Sequence, residues 1–208
     1  PLNTVNFENR AHQEQLKGII ELLGVREMTG LEAKQGLWAR VQDGVAALTG
    51  VVGSVVTRTD DEMSIRELLL MDHTKADILF GEIFGSDDPE KIQEYFGQLY
   101  KDLKVHGTAE EQVLYPAVWP YYEHTQEIVV QTDEVMQMLD EIKPLNPADS
   151  QFKAKIEQLR TAVRTHINQE ENDIFPKLRD NFNHEQQKQL ASEFKTAKSK
   201  LQDQIAAS

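Results

Sequence analysis

Six side chains of types that hold metal ions are set apart in this sequence by a repeated order: His73, His106, Glu110, His124, His166 and Glu170. His106 precedes Glu110 by four positions, and His166 precedes Glu170 by four. On an α-helix, residues four apart differ by about 40° in direction and lie about 6 Å apart along the axis. Each pair therefore shares a face, where an imidazole and a carboxylate can bind one ion and the carboxylate can bridge to a second. The two motifs belong to a repeat. His106-Gly-Thr-Ala-Glu-Glu-Gln-Val-Leu-Tyr-Pro116 aligns without gaps on His166-Ile-Asn-Gln-Glu-Glu-Asn-Asp-Ile-Phe-Pro176. A second, shorter echo pairs Asp72-His73-Thr74 with Glu123-His124-Thr125. The order His, H-x-x-x-E, His, H-x-x-x-E describes two similar helical hairpins, which a pseudo-two-fold axis would bring to one level.

The elements that must position these residues are helices. Ser64-Ile-Arg-Glu67 and Thr29-Gly-Leu-Glu32 are capping boxes ahead of apolar-periodic runs. Asp88-Pro89 puts a cap before a proline at the first helical position, Asn146-Pro147 offers the same, and Asn183 with Gln186 opens a last polar helix. No segment alternates with period two between hairpin turns. The pattern predicts helices at about 5–23, 30–56, 64–85, 89–117, 120–143, 147–179 and 183–204. Stripes at three- and four-residue steps, such as Ile92, Phe96, Leu99, Leu103, His106, Glu110, Val113, face a common core. The third bundle helix gives Tyr121, His124, Ile128, Val135, Met138 and Ile142. The expected fold is all-α, an antiparallel four-helix bundle over 59–182. An N-terminal helical extension (1–58) and a C-terminal helix (183–208) flank it. The extension either covers one side of the bundle or serves as a sensing or homodimer surface.

Burying four imidazoles and two carboxylates without partners would cost several kcal/mol per charged group. Two divalent ions remove most of that cost. A nitrogen-and-oxygen donor set suits iron, manganese or zinc, and imidazole argues against magnesium and calcium. Cysteine is absent, which excludes thiolate zinc sites, cysteine-ligated clusters, disulfides and cysteine nucleophiles. With 35 acidic and 22 basic residues the net charge is −13, which disfavours nucleic acid and anionic membranes as partners. No run of 18 apolar residues suggests a membrane span and no signal segment opens the chain, so a cytoplasmic location is expected.

In these residues the sequence resembles the hemerythrin, or HHE cation-binding, family over about 60–182. The resemblance implies an oxo- or hydroxo-bridged pair of iron ions with both glutamates bridging, His73 and His106 on one iron, and His124 and His166 on the other. The oxygen carriers of that family use five histidines and two carboxylates; four histidines fit here. That shifts the expected function from oxygen carriage towards binding or sensing of oxygen, peroxide or nitric oxide. A di-iron peroxidase or oxidase, an iron store, and a structural module with a vestigial site are the alternatives. Asp77, one turn after His73, is a further ligand or an imidazole-orienting residue, and Tyr121 could approach the metals. Glu111 and Glu171 should point sideways, while His12 and His184 match no repeat. Tyr115 and Phe175 read as core aromatics.

Overall fold

A computed structural model describes residues 63–206. The helices expected over 5–23 and 30–56, the Thr29 capping box and the proposed dimer surface lie outside the described residues. Among the described residues there is no strand, and the α-helices run in order α1 (Ile65–Gly85), α2 (Pro89–Ala109), α3 (Tyr115–Val118), α4 (Thr125–Ile142), α5 (Ser150–Gln169), α6 (Phe175–Asn181) and α7 (His184–Ala206). π-helical turns, Glu110–Leu114 and Glu170–Ile174, join α2 to α3 and α5 to α6.

The helix starts follow from side-chain chemistry. The Ser64 hydroxyl accepts from Glu67 N at 3.3 Å, and the Glu67 carboxylate accepts from Ser64 N at 2.8 Å, closing the predicted capping box on α1. Asp88 accepts from Glu90 N at 3.0 Å ahead of Pro89. Asn183 and Gln186 exchange reciprocal bonds of 2.9 Å at the start of α7. Asn146 departs from expectation. Its side chain accepts from Ala148 N at 2.9 Å and its carbonyl from Asp149 N at 3.0 Å, so it makes a turn and α5 begins only at Ser150.

Hairpin α1–α2 packs against hairpin α4–α5, giving the expected antiparallel bundle. Phe80, Phe96, Leu99, Leu139, Phe152, Ile156 and Leu159 are fully buried towards one end. The other end buries Ile65, Leu69, Leu114, Tyr115, Ile128, Ile174 and Leu178. Gly107 lies where α2 meets α4: a Cβ there would run into the Met136 methyl and come within 3.0 Å of Thr132 Cγ2. Helix α7 lies across α1 and α2 and inserts Leu190, Ala191, Phe194 and Ala197 into the core. No helix among the described residues is long and apolar enough to cross a membrane.

Candidate metal centre

The polar core lies between the two apolar ends. His73 from α1, His106 from α2, and Glu110 and Glu170 from the first residues of the two π turns bring ligand atoms within 4.8 Å of one another, all buried. His166, one turn before Glu170 on α5, joins them from the far side. Both carboxylates are completely shielded from solvent. Glu110 Oε1 lies 2.9 Å from His106 Nε2, whereas its Oε2 lies 3.7 Å from His166 Nε2. Glu170 Oε2 lies 3.2 Å from His73 Nε2 and its Oε1 3.6 Å from His166 Nε2. Each glutamate thus presents one oxygen to the His73–His106 side and the other to the His166 side. His73 Nε2, His106 Nε2, Glu110 Oε1 and Glu170 Oε2 have no partner in hydrogen-bond geometry despite complete burial. Buried polar atoms are nearly always hydrogen-bonded. Four such atoms facing one another make a donor set that fits a metal ion.

Carboxylates behind the imidazoles fix their orientation. His73 Nδ1 lies 2.9 Å from Glu171 Oε1, and His106 Nδ1 lies 3.0 Å from Asp72 Oδ2, which Lys198 of α7 also contacts. An Nδ1–H donated outward leaves the Nε2 lone pair aimed inward, the arrangement that ligating histidines use. Burial disfavours the Asp72 anion, but the hydrogen bonds and charges of His106 and Lys198 outweigh it and hold the carboxyl at about 2. Burial likewise opposes protonation of the imidazoles. The close contact and charge of Glu170 with the bond to Glu171 nonetheless lift His73 to about 9, and the charge of Glu110 with the bond to Asp72 lifts His106 to about 10. His166 is raised against burial by Glu170 and Glu110. Glu110 is carried well below the usual carboxylate range, because the charge and close contact of His106 overcome burial.

The structure brings five of the six expected ligands together and leaves out His124. The helix expected from 120 starts at Thr125. Trp119–Tyr121 form a 3-10 turn, and Tyr122 turns extended to bury its ring, with its hydroxyl 2.8 Å from Gln169 Nε2. His124 consequently sits ahead of the first turn of α4, with its side chain 66% exposed and 3.4 Å from Glu127. The α4 residue at the level of the centre is Thr132, eight positions and about 12 Å further along the axis. Thr132 is buried and lies 3.1 Å from the Tyr115 hydroxyl. Two other expected neighbours are also elsewhere: Asp77 accepts from Arg164 at 3.1 Å, and Tyr121 is exposed with its ring edge against Phe182.

Tyr115, Thr132, Asp72, Glu171 and Lys198 belong to the centre but were not expected there. Tyr115 and Glu171 arrive through the π turns. Tyr115 N bonds to Glu110 O, five residues back, so the widened turn brings Tyr115 onto the glutamate's face. A signal was present in Pro116 and Pro176, each two residues beyond such a turn. A proline inside a helix removes the i→i−4 bond, which the backbone can absorb by widening. A small cavity of about 70 Å³ reaches the centre past Lys75, Asp102, Lys198 and Gln202.

The hemerythrin HHE cation binding domain matches residues 64–178. A protein of Nostoc sp. named DNA nickase is 53% identical over 209 aligned residues, covering 99% of this chain and 60% of that relative's length. An uncharacterized hemerythrin-like protein of Schizosaccharomyces pombe is 24% identical over 139 residues, covering 64% of this chain and 68% of the relative. No solved structure matches the chain.

Proposed function

From its membership of the hemerythrin HHE cation-binding family, we propose that this chain holds two iron ions and binds or senses a small oxidant or gas: oxygen, peroxide or nitric oxide. The observation that carries this reading is the split of each buried glutamate between two donor groups, Glu110 and Glu170 facing His73 and His106 with one oxygen and His166 with the other. Iron there would supply a Lewis acid that changes oxidation state. The chain's own residues do the rest. Asp72 and Glu171 hold the imidazole Nε2 atoms inward, and the apolar layers above and below exclude bulk water. The cavity restricts what reaches the centre. Its roughly 70 Å³ has room for a few water-sized molecules, but a nucleotide or peptide does not fit. Loading with ferrous iron under argon should give two irons per chain and an optical change on admitting air or nitric oxide. Failure to take up iron, with zinc bound instead and no response to either gas, would overturn the reading.

A second reading follows from the Nostoc relative's printed name: DNA strand nicking. Since this chain spans 60% of that protein, the activity can reside in the shared part or in the remainder. The net charge of −13 opposes the approach of a polyanion, and the buried centre does not admit a phosphodiester. Relaxation of supercoiled plasmid by this chain with a divalent ion, lost in Glu110→Ala, would favour it. Nicks that ligase reseals would mark hydrolysis, and nicks formed only in air would mark an oxidant.

A further inference from the structure

We infer that Tyr115 is itself a ligand, its phenol oxygen completing the second metal position beside His166, Glu110 and Glu170. The inference rests on the two-ion reading and adds to it the donor that takes the place expected of His124. Tyr115 is almost wholly buried. Its Oη lies 3.3 Å from Glu110 Oε2, 3.1 Å from Glu170 Oε1 and 3.4 Å from His166 Nε2. His166 Nε2 lies 3.7 and 3.6 Å from the same two carboxylate oxygens. Donors bound at about 2.1 Å to one tetrahedral ion are about 3.4 Å apart. These five separations scatter around that value. The two separations from the phenol oxygen to the carboxylates are long for O–H···O hydrogen bonds, which centre near about 2.7–2.8 Å. A single phenolic hydrogen, moreover, cannot serve two carboxylates, an imidazole and a threonine together.

The internal repeat gives independent support. The residue equivalent to Tyr115 is Phe175, which packs parallel to the His73 ring at 6.2 Å between centroids. In that half a histidine from the neighbouring hairpin enters and the aromatic carries no donor. In the other half α4 offers Thr132 at this level, and the aromatic carries a hydroxyl. The donor is thus present in the half where the histidine is absent. Coordination replaces one O–H bond with one oxygen–metal bond and releases one proton to solvent, with no change of oxidation state. The Thr132 hydroxyl, which donates to Ile128 O at 3.1 Å, can rotate to donate to the phenolate.

The test uses the full chain loaded with ferrous iron under argon and then oxidised with ferricyanide. We expect two irons per chain and a visible phenolate-to-iron(III) charge-transfer band with resonance-enhanced tyrosine vibrations. Tyr115→Phe should lose the band and bind its second iron about 10–100-fold more weakly; Tyr122→Phe should keep both. Two irons without a phenolate signature, or a band that survives in Tyr115→Phe, would overturn the ligand assignment and leave the metal pair standing. No iron uptake would overturn both. The wild-type vibrational pattern, shifted by ring-deuterated tyrosine, decides the matter even if the variant folds poorly.

Discussion

Metal binding to this chain should be steeply dependent on pH, because protons occupy the imidazoles when ions do not. Glu170 and Glu171 hold His73 at about 9, and Glu110 and Asp72 hold His106 at about 10. Both lie above the ordinary imidazole value, so at pH 7 both rings are charged and an incoming ion must displace a proton from each. Each pKa unit is worth about 1.4 kcal/mol, so at pH 7 the displacement costs roughly 3 kcal/mol at His73 and roughly 4 kcal/mol at His106. Together that is about five orders of magnitude in affinity. Below pH 9 these two rings alone release two protons, so the affinity should rise at least about a hundredfold per pH unit. Above pH 10 these two groups contribute no further gain. Asp72, held at about 2, stays ionised throughout and keeps orienting His106. Manganese, which does not change oxidation state here, is a suitable probe, measured by chelator competition at pH 6.5, 7.5 and 8.5 after correction for the chelator's own protons. A gain of tenfold or less per unit across that range would show that at least one of the two imidazoles is already neutral and refute the reasoning.

The same groups predict stability without metal. His73 and His106 are raised in the folded chain, so their stabilisation is complete below the unfolded imidazole value of about 6.5 and is lost as pH rises through about 9 and 10. The melting temperature of chelator-treated protein should therefore fall between pH 6.5 and 10; a flat profile would contradict this. Asp72→Asn removes the anion behind His106 and its contact with Lys198, and should weaken manganese binding about 10–100-fold in the same competition assay with the helical circular-dichroism signal retained. His124→Ala removes an exposed side chain whose partner is Glu127, and metal analysis should find the wild-type content. Loss of an ion in that variant would return His124 to the centre.

The helical bundle and its buried polar residues were legible because two periodicities agreed. A stripe at three- and four-residue steps marked the buried face of each helix, and His106, Glu110, His166 and Glu170 lay within such stripes at i, i+4 spacing, where burial without partners is costly. Capping chemistry was equally legible at Ser64, Asp88 and Asn183, since each cap is a bond between residues two or three apart. Asn146 shows the limit of that reading: the same side chain can close a turn or cap a helix, and packing of the flanking elements decides.

His124 stands apart from the cluster and Tyr115 faces its glutamates for one physical reason. Extrapolation from spacing assumes 3.6 residues per turn without interruption, and both segments break that assumption. Burial of Tyr122 under Gln169 makes the chain extended just before His124, so the stripe drawn through Tyr121, His124 and Ile128 begins outside the helix. The π turn at Glu110–Leu114 adds a residue to one turn, so Tyr115 faces the centre where regular winding would rotate it about 140° from His106's partner Glu110. Both π turns begin at a glutamate of the centre and end one residue before the aromatic that closes it. The repeated proline after each aromatic is thus part of the metal-site motif. It favours the widened turn that gives each half an aromatic beside its glutamate, and the presence or absence of one phenol oxygen then distinguishes the two halves.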